Sequence, residues 1–214
     1  DYRNRYDNTP SYSYSYRLGP QYTFVMPNGF RLFTGYQYQQ KGSYRNNQKY
    51  RLDKLYKWQE ENHALGSLPS SRDSLLLALD ANNSYKGYYI SKQNSVSLGF
   101  GCSKSKNHNS VFFNTNVSVG YKSEKLDYRN SLLNTSAKQY NWVAGLSLNM
   151  GFTINKYSFY GTMTSKMETP DLYSKITRSD NSNPLAISLG NPNLKNSRKT
   201  NVSLTFSDNN NRRF

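Results

Sequence analysis

The chain has little of what most folds and most enzymes are built from. Among its 214 residues there is one cysteine, Cys102, so no disulfide can form within the chain. There are two histidines, His63 and His108, far apart in sequence, and no Cys/His cluster has metal spacing. Apolar runs are short. The longest aliphatic stretch is Leu75–Leu79, well below the roughly 18–20 residues a membrane-crossing helix needs. A helical membrane protein is therefore excluded, whereas a β-barrel, whose strands carry only every second residue apolar, is not. Acids are scarce too: 13 Asp and Glu stand against 28 Lys and Arg, a net charge of +15. The first ten residues have no apolar centre and do not read as a signal peptide.

What is abundant is tyrosine, with 20 copies, beside 10 Phe and 2 Trp. Tyrosine suits strands and surfaces that are apolar at one end and wet at the other. Its spacing gives the main result. Tyr14, Tyr16, Leu18, Tyr22, Phe24 and Met26 alternate with Ser15, Arg17, Gly19, Gln21 and Thr23. Beyond a PNG turn, Phe30, Leu32, Thr34, Tyr36 and Tyr38 continue the alternation. It recurs at 96–102, 111–121, 140–154, 157–163 and 202–206. Such period-two patterning predicts seven strands with one apolar face, and no helix of any length.

The connections carry a second rhythm. Short polar turns are expected at 27–29, 103–109, 155–156 and 207–212, and long links at 41–87, 122–138 and 164–200. Strict alternation of short and long is how an outer-membrane barrel is threaded, although a soluble sandwich can also alternate turn lengths. The polar positions are mostly Ser, Asn, Gly, Gln and Thr, as befits an interior packed against a plug more than a solvated sheet face. The fold expected is all-β, an antiparallel up-and-down transmembrane β-barrel segment. Residues 1–214 are read as about seven strands of a larger barrel, since an open edge in lipid would leave backbone groups unpaired.

A longer stretch carries a family signature. Residues 169–207, TPDLYSKITRSDNSNPLAISLGNPNLKNSRKTNVSLTFS, resemble the late-barrel region of TonB-dependent outer-membrane receptors, in their Bacteroidetes-type branch. The matching positions are Pro170, Asp171, Leu172, Ser182, Asn183, Pro184, Leu185, Ile187, Gly190, Asn191, Pro192, Asn193, Leu194 and Lys195. The chain departs at Asn196-Ser197, where the family usually has Pro-Glu. The resemblance implies an importer of a scarce nutrient in the cell outer membrane: a metal chelate, a glycan or a peptide. It implies a plug domain, not present in these residues, that engages the TonB complex. One branch of the family also implies a SusD-like surface lipoprotein as partner.

Within this stretch Asn183, Pro184, Gly190, Asn191, Pro192, Asn193 and Leu194 read as loop architecture. The prolines hold the preceding Asn residues extended, Gly190 supplies a left-handed turn, and the next strand is launched in register. For ligand contact the candidates are Arg51, Lys54, Tyr56, Lys57 and Trp58 in the first long link, with the aromatics stacking and the cations supplying charge. The competing reading is that Leu75–Leu79 and the aromatics pack the link into a lid. No catalytic set, cofactor or metal site is expected. The Lys and Arg residues are scattered through turns and loops, with no basic stripe on one strand face, so nucleic acid is not an expected partner. They are either solvated or in contact with lipid, lipopolysaccharide phosphates or an anionic ligand. Two other functions stay open: a non-transporting structural or adhesive barrel, and a soluble basic β protein that binds polyanions.

Overall fold

The computed structural model describes residues 5–56, 58, 63–64, 67–177, 179–183 and 186–208. Alternating side chains give long antiparallel strands, in chain order β1 (Arg5–Asn8), β2 (Ser11–Leu18), β3 (Gln21–Val25), β4 (Phe30–Arg51) and β5 (Tyr85–Lys106). Next come β6 (Asn109–Arg129), β7 (Asn134–Ile154), β8 (Tyr157–Glu168), β9 (Ser179–Asn183), β10 (Ala186–Leu189) and β11 (Ser197–Asp208). The main sheet is up-and-down and open, in the order β1-β4-β5-β6-β7-β8-β11, with β2 and β3 also on β4. A separate small hairpin joins β9 and β10.

β1, β2 and β3 are one strand with two interruptions. All three keep the same register against β4, from Arg5 opposite Arg51 to Val25 opposite Arg31. The interruptions fall at Pro10 and Pro20. Each proline carbonyl still accepts from β4, Asn46 N donating to Pro10 O at 3.0 Å and Tyr36 N to Pro20 O at 3.1 Å. The missing proline N–H removes the return bond of each pair. Seven strands therefore run through the sheet, as the alternation predicts.

Straight register keeps each face in line. Phe24, Leu32, Phe100, Thr115, Leu148, Met163 and Val202 form one row across all seven strands. On the opposite face Gln21, Gly35, Ser97, Ser118, Gly145 and Lys166 form another. The polar face is concave: a cavity of about 670 Å³ is lined by residues of β4 through β8 together with Gly19–Gln21 and Thr169. The apolar face is convex and uncovered. Leu98 and Val96 are each 57% exposed and Trp142 66%, so this face is no core.

Aromatic rings border the convex apolar band at both ends. At one end Tyr16 meets Tyr38 at 6.0 Å between centroids, and Tyr121 meets Trp142 at 5.4 Å. At the other Phe30 meets Phe100 at 5.7 Å, Phe152 meets Phe159 at 5.2 Å, and Tyr157 meets Phe206 at 6.0 Å. The Phe-rich end is closed by tight turns. Two are two-residue hairpins, led by Asn107 and Asn155 at φ 54° and 52°, and in the third Asn28 and Gly29 take positive φ. Asn and Gly are the residues that tolerate that conformation.

At the Tyr-rich end the sequence-based boundaries need correction. The expected links at 41–87, 122–138 and 164–200 are shorter, 52–84, 130–133 and 169–196, because the strands run on well past the belt. The expected turn at 103–109 likewise narrows to 107–108. Beyond Glu124 the polarity of β6 inverts: the concave positions become Leu126 and Tyr128, both buried, and the convex ones Lys125, Asp127 and Arg129. A pattern that changes face reads as the end of a strand, although the ladder continues. Two short helices also correct the expectation of none: α1 (Arg72–Ala78) and α2 (Leu172–Lys175). The buried apolar cluster lies here, where Leu172, Tyr173 and Ile176 pack on Leu126 and Tyr128.

The same continuation gathers charge that is scattered in sequence. Lys86, Lys92, Lys125, Arg129 and Lys138 all occupy convex positions of β5, β6 and β7, Lys92 in the belt row of Tyr16 and Tyr140 and the other four beyond it. The five are spread over three strands, at most two to a strand, so they form a patch across the sheet and not a stripe on one strand face. Register, which composition cannot show, brings these cations together.

Candidate functional site at the mouth of the concave face

The floor of the concave face is made of small groups, and one contact shows why. A Cβ added to Gly99 would lie 1.8 Å from the Phe33 ring, which fills that space from the neighbouring strand. Around it Gln37, Gln93, Ser95, Asn116 and Ser118 present amides and hydroxyls to the cavity. The cavity ends toward the Tyr-rich end at Lys122, Lys166, Glu168 and Thr169.

There a polar network is built around Glu124, which is 3% exposed. Lys122 Nζ lies 2.8 Å from Glu124 Oε1 and donates to Thr169 Oγ1 at 2.7 Å. Gln139 Nε2 donates to Glu124 Oε2 at 2.7 Å and to the Pro170 carbonyl at 3.0 Å. Thr169 Oγ1 donates to Glu124 Oε2 at 3.3 Å, and the Tyr89 hydroxyl donates to Oε1. Burial, and then the bond to Glu124, push the Tyr89 phenol above its ordinary value. Three strands and the 169–196 link thus converge on one carboxylate. A buried charge is tolerated only when so many donors replace its water.

The link enters the mouth at this network. The Asp171 side chain accepts from Tyr173 N at 3.2 Å and caps α2, which turns Leu172 and Tyr173 onto Leu126 and Tyr128. A second cavity, of about 300 Å³, is lined by Ser43, Arg45, Tyr89, Lys122, Glu124, Thr169, Asp171 and Tyr173. The Arg45 guanidinium stands over the Tyr173 ring, 5.4 Å from its centroid. The two cavities share Lys122 and Thr169. The arrangement offers cations, carboxylates, amides and two tyrosines to a polar guest.

The candidates of the first long link lie elsewhere. Arg51 grips Asp53, with Nη2–Oδ2 at 2.5 Å and Nε–Oδ1 at 3.3 Å, and this bond holds its guanidinium above the ordinary value. Tyr56 is 89% exposed, and Trp58 stacks on His63 with centroids 3.6 Å apart. Lys54 is exposed at the end of a short turn, and Lys57 lies outside the described residues. None of the four described lines either concave cavity.

Of the motif residues, 190–194 form a turn, and the expectation for Gly190 is corrected. Gly190 is not left-handed: Gly29 is the glycine with positive φ among the described residues. Gly190 is required by close approach, since a Cβ there would lie 1.6 Å from the Ile176 carbonyl oxygen. Asn191 N donates to Ser174 O at 2.8 Å, and the Asn191 side chain accepts from Asn193 N at 2.9 Å. Leu194 N closes the turn around Pro192 by donating to Asn191 O at 3.4 Å. Residues 190–194 thus seat the link on the end of α2. Asn183 ends β9, while its side chain and Pro184 lie outside the described residues.

Of the two histidines, His108 sits in a tight turn and His63 in the link at the opposite end. Cys102 is half-buried on the convex face, in register between Phe30 and Phe113. The network residues Tyr89, Lys122, Glu124 and Gln139 were not found by sequence reasoning. The signal available was a carboxylate at a concave position of a strand otherwise almost free of acids. No family model matches the chain, and no curated protein matches it significantly.

Proposed function

We propose that this chain forms part of the wall and outer loops of a β-barrel in the cell outer membrane. The observation that carries the reading is the uncovered convex band between two aromatic belts. From Tyr121 to Val111 on β6 there are ten residue steps, about 33 Å along a strand. At the usual barrel tilt that is about 25 Å of height, which matches the apolar band of such barrels. A soluble sheet would not leave Phe24, Leu98, Trp142, Phe152 and Leu204 bare on one face. The outermost strands pair on one side only among the described residues. In lipid their free edges need further strands.

Within that class, the resemblance of residues 169–207 supports a TonB-dependent receptor that imports a scarce nutrient. The concave face would meet the plug, and the network at Glu124 would hold the 169–196 link over the mouth. The TonB complex would act through the plug, and a SusD-like lipoprotein would sit on the outer loops. The decisive experiment is the intact mass of the native polypeptide from the outer-membrane fraction. A mass about three or more times that of these residues fits a plug with a barrel of roughly 22 strands. A native chain of this length alone, or recovery in the soluble fraction, overturns the reading.

A further inference from the structure

The convex face from the row of Tyr16 and Tyr140 outward mixes exposed tyrosines, Tyr12, Tyr14 and Tyr88, with charge that is one-sided. Its β4–β7 positions carry Lys86, Lys92, Lys125, Arg129 and Lys138 against a single carboxylate, Asp127. All five cations are exposed. Two pairs are directly opposite on neighbouring strands: Lys86 faces Arg129, and Lys125 faces Lys138. Like charges in that position destabilise a sheet. Asp127 offsets part of this, accepting from Lys125 Nζ at 2.7 Å, and both Lys125 and Lys138 hold its carboxyl below the ordinary range. Four positive charges remain uncompensated on the face.

Their height decides the partner. Lys92 lies in the row with Tyr16 and Tyr140, and Lys125 and Lys138 lie one convex position further out. The belt aromatics mark the level of the headgroups. The cations therefore stand where phosphates of the outer leaflet stand, facing sideways along the membrane. At the other end of the same face, Lys104 and Lys106 lie opposite Val111 and Asn109, with no like-charged pair.

Resting on the barrel reading above, we infer that Lys86, Lys92, Lys125, Arg129 and Lys138 form a docking surface for the phosphate groups of a phosphorylated glycolipid. The lipid's acyl chains run down the apolar band beside Val96, Val119 and Trp142. Its phosphates separate the paired cations and offset their repulsion. Soluble polyanions carry the same charge but gain nothing from the band below.

The test titrates the full-length protein, purified in zwitterionic detergent, with diphosphoryl lipid A. The same lipid stripped of its phosphates, and sodium pyrophosphate, serve as the other probes. Lys125→Gln/Lys138→Gln is expected to weaken diphosphoryl lipid A binding about tenfold or more. Lys104→Gln/Lys106→Gln, which removes equal charge at the other end, should leave it unchanged. Equal binding by the first double variant, or by the phosphate-free lipid, overturns the inference. Displacement of the lipid by an equal concentration of pyrophosphate overturns the headgroup assignment in favour of a free-phosphate site. Fractionation separates the two readings. Protein found in the outer membrane with lipid binding unaltered in the variants removes this inference alone, whereas soluble protein removes both.

Discussion

Gln139 Nε2 bridges Glu124 Oε2 at 2.7 Å and the Pro170 carbonyl at 3.0 Å, so one side-chain nitrogen ties the strand wall to the incoming link. Glu124 is the hub of that tie. Glu124→Ala leaves the Lys122 ammonium without its carboxylate in a half-buried place. Breaking such a pair costs about 3–5 kcal/mol when fully buried, and less here because Lys122 keeps some solvent. The strands should survive while the link detaches. Hydrogen exchange should show protection falling at amides 171–176 and holding in β6 and β7. Protection lost evenly over both would contradict a local tie.

Gly190 makes a second anchor. Its Cα passes so close to the Ile176 carbonyl that any side chain forces the backbone apart. Gly190→Ala should therefore break the Asn191 N to Ser174 O bond and expose the link to protease, by the same local route as loss of Glu124. The clash is with backbone, which cannot rotate away. A cleavage rate equal to wild type would show that the turn has room.

The Tyr89 phenol supplies a pH dependence whose sign is fixed. Its folded value is raised, so the unfolded chain loses this proton first. The network's contribution is whole below the ordinary tyrosine value of about 10, and it declines as pH rises beyond that. Unfolding midpoints measured from pH 8 to 11 should fall more steeply above pH 10 for wild type than for Tyr89→Phe. Parallel curves would mean that Tyr89 titrates as an exposed tyrosine does.

These sites show where sequence reading succeeds and where it stops. From Val111 to Tyr121 the apolar residues stay on one face, so alternation alone places β6 and the faces of its neighbours. After Tyr121 the apolar residues shift to the concave side at Leu126 and Tyr128, and the strand looks finished eight residues early. The network was illegible for a different reason. Glu124, Gln139 and Pro170 lie far apart in the chain, and only the 124–139 register and the path of the link bring them together. The turn at 190–194 was legible, yet the reason for Gly190 was not. Close approach to Ile176 leaves no mark in composition.

The apolar band makes the sharpest prediction, because position along one face should set the outcome. Val117 lies mid-band on the convex face, between Leu98 and Leu146. Ser136 lies on the same face beyond the belt, in the row with Asp127. If the band is in lipid, Val117→Arg buries a guanidinium at the hydrocarbon midplane, at a cost of about 2–4 kcal/mol. Ser136→Arg places the same group in the headgroup region or in water, at about 0–1 kcal/mol. Folding of the full-length protein into phosphatidylcholine vesicles, followed through a urea titration, reads both. A penalty at Val117 well above that at Ser136 is the depth dependence that only a bilayer imposes. If both sites accept arginine equally, the bare face is covered by protein or water, and the chain is no membrane wall.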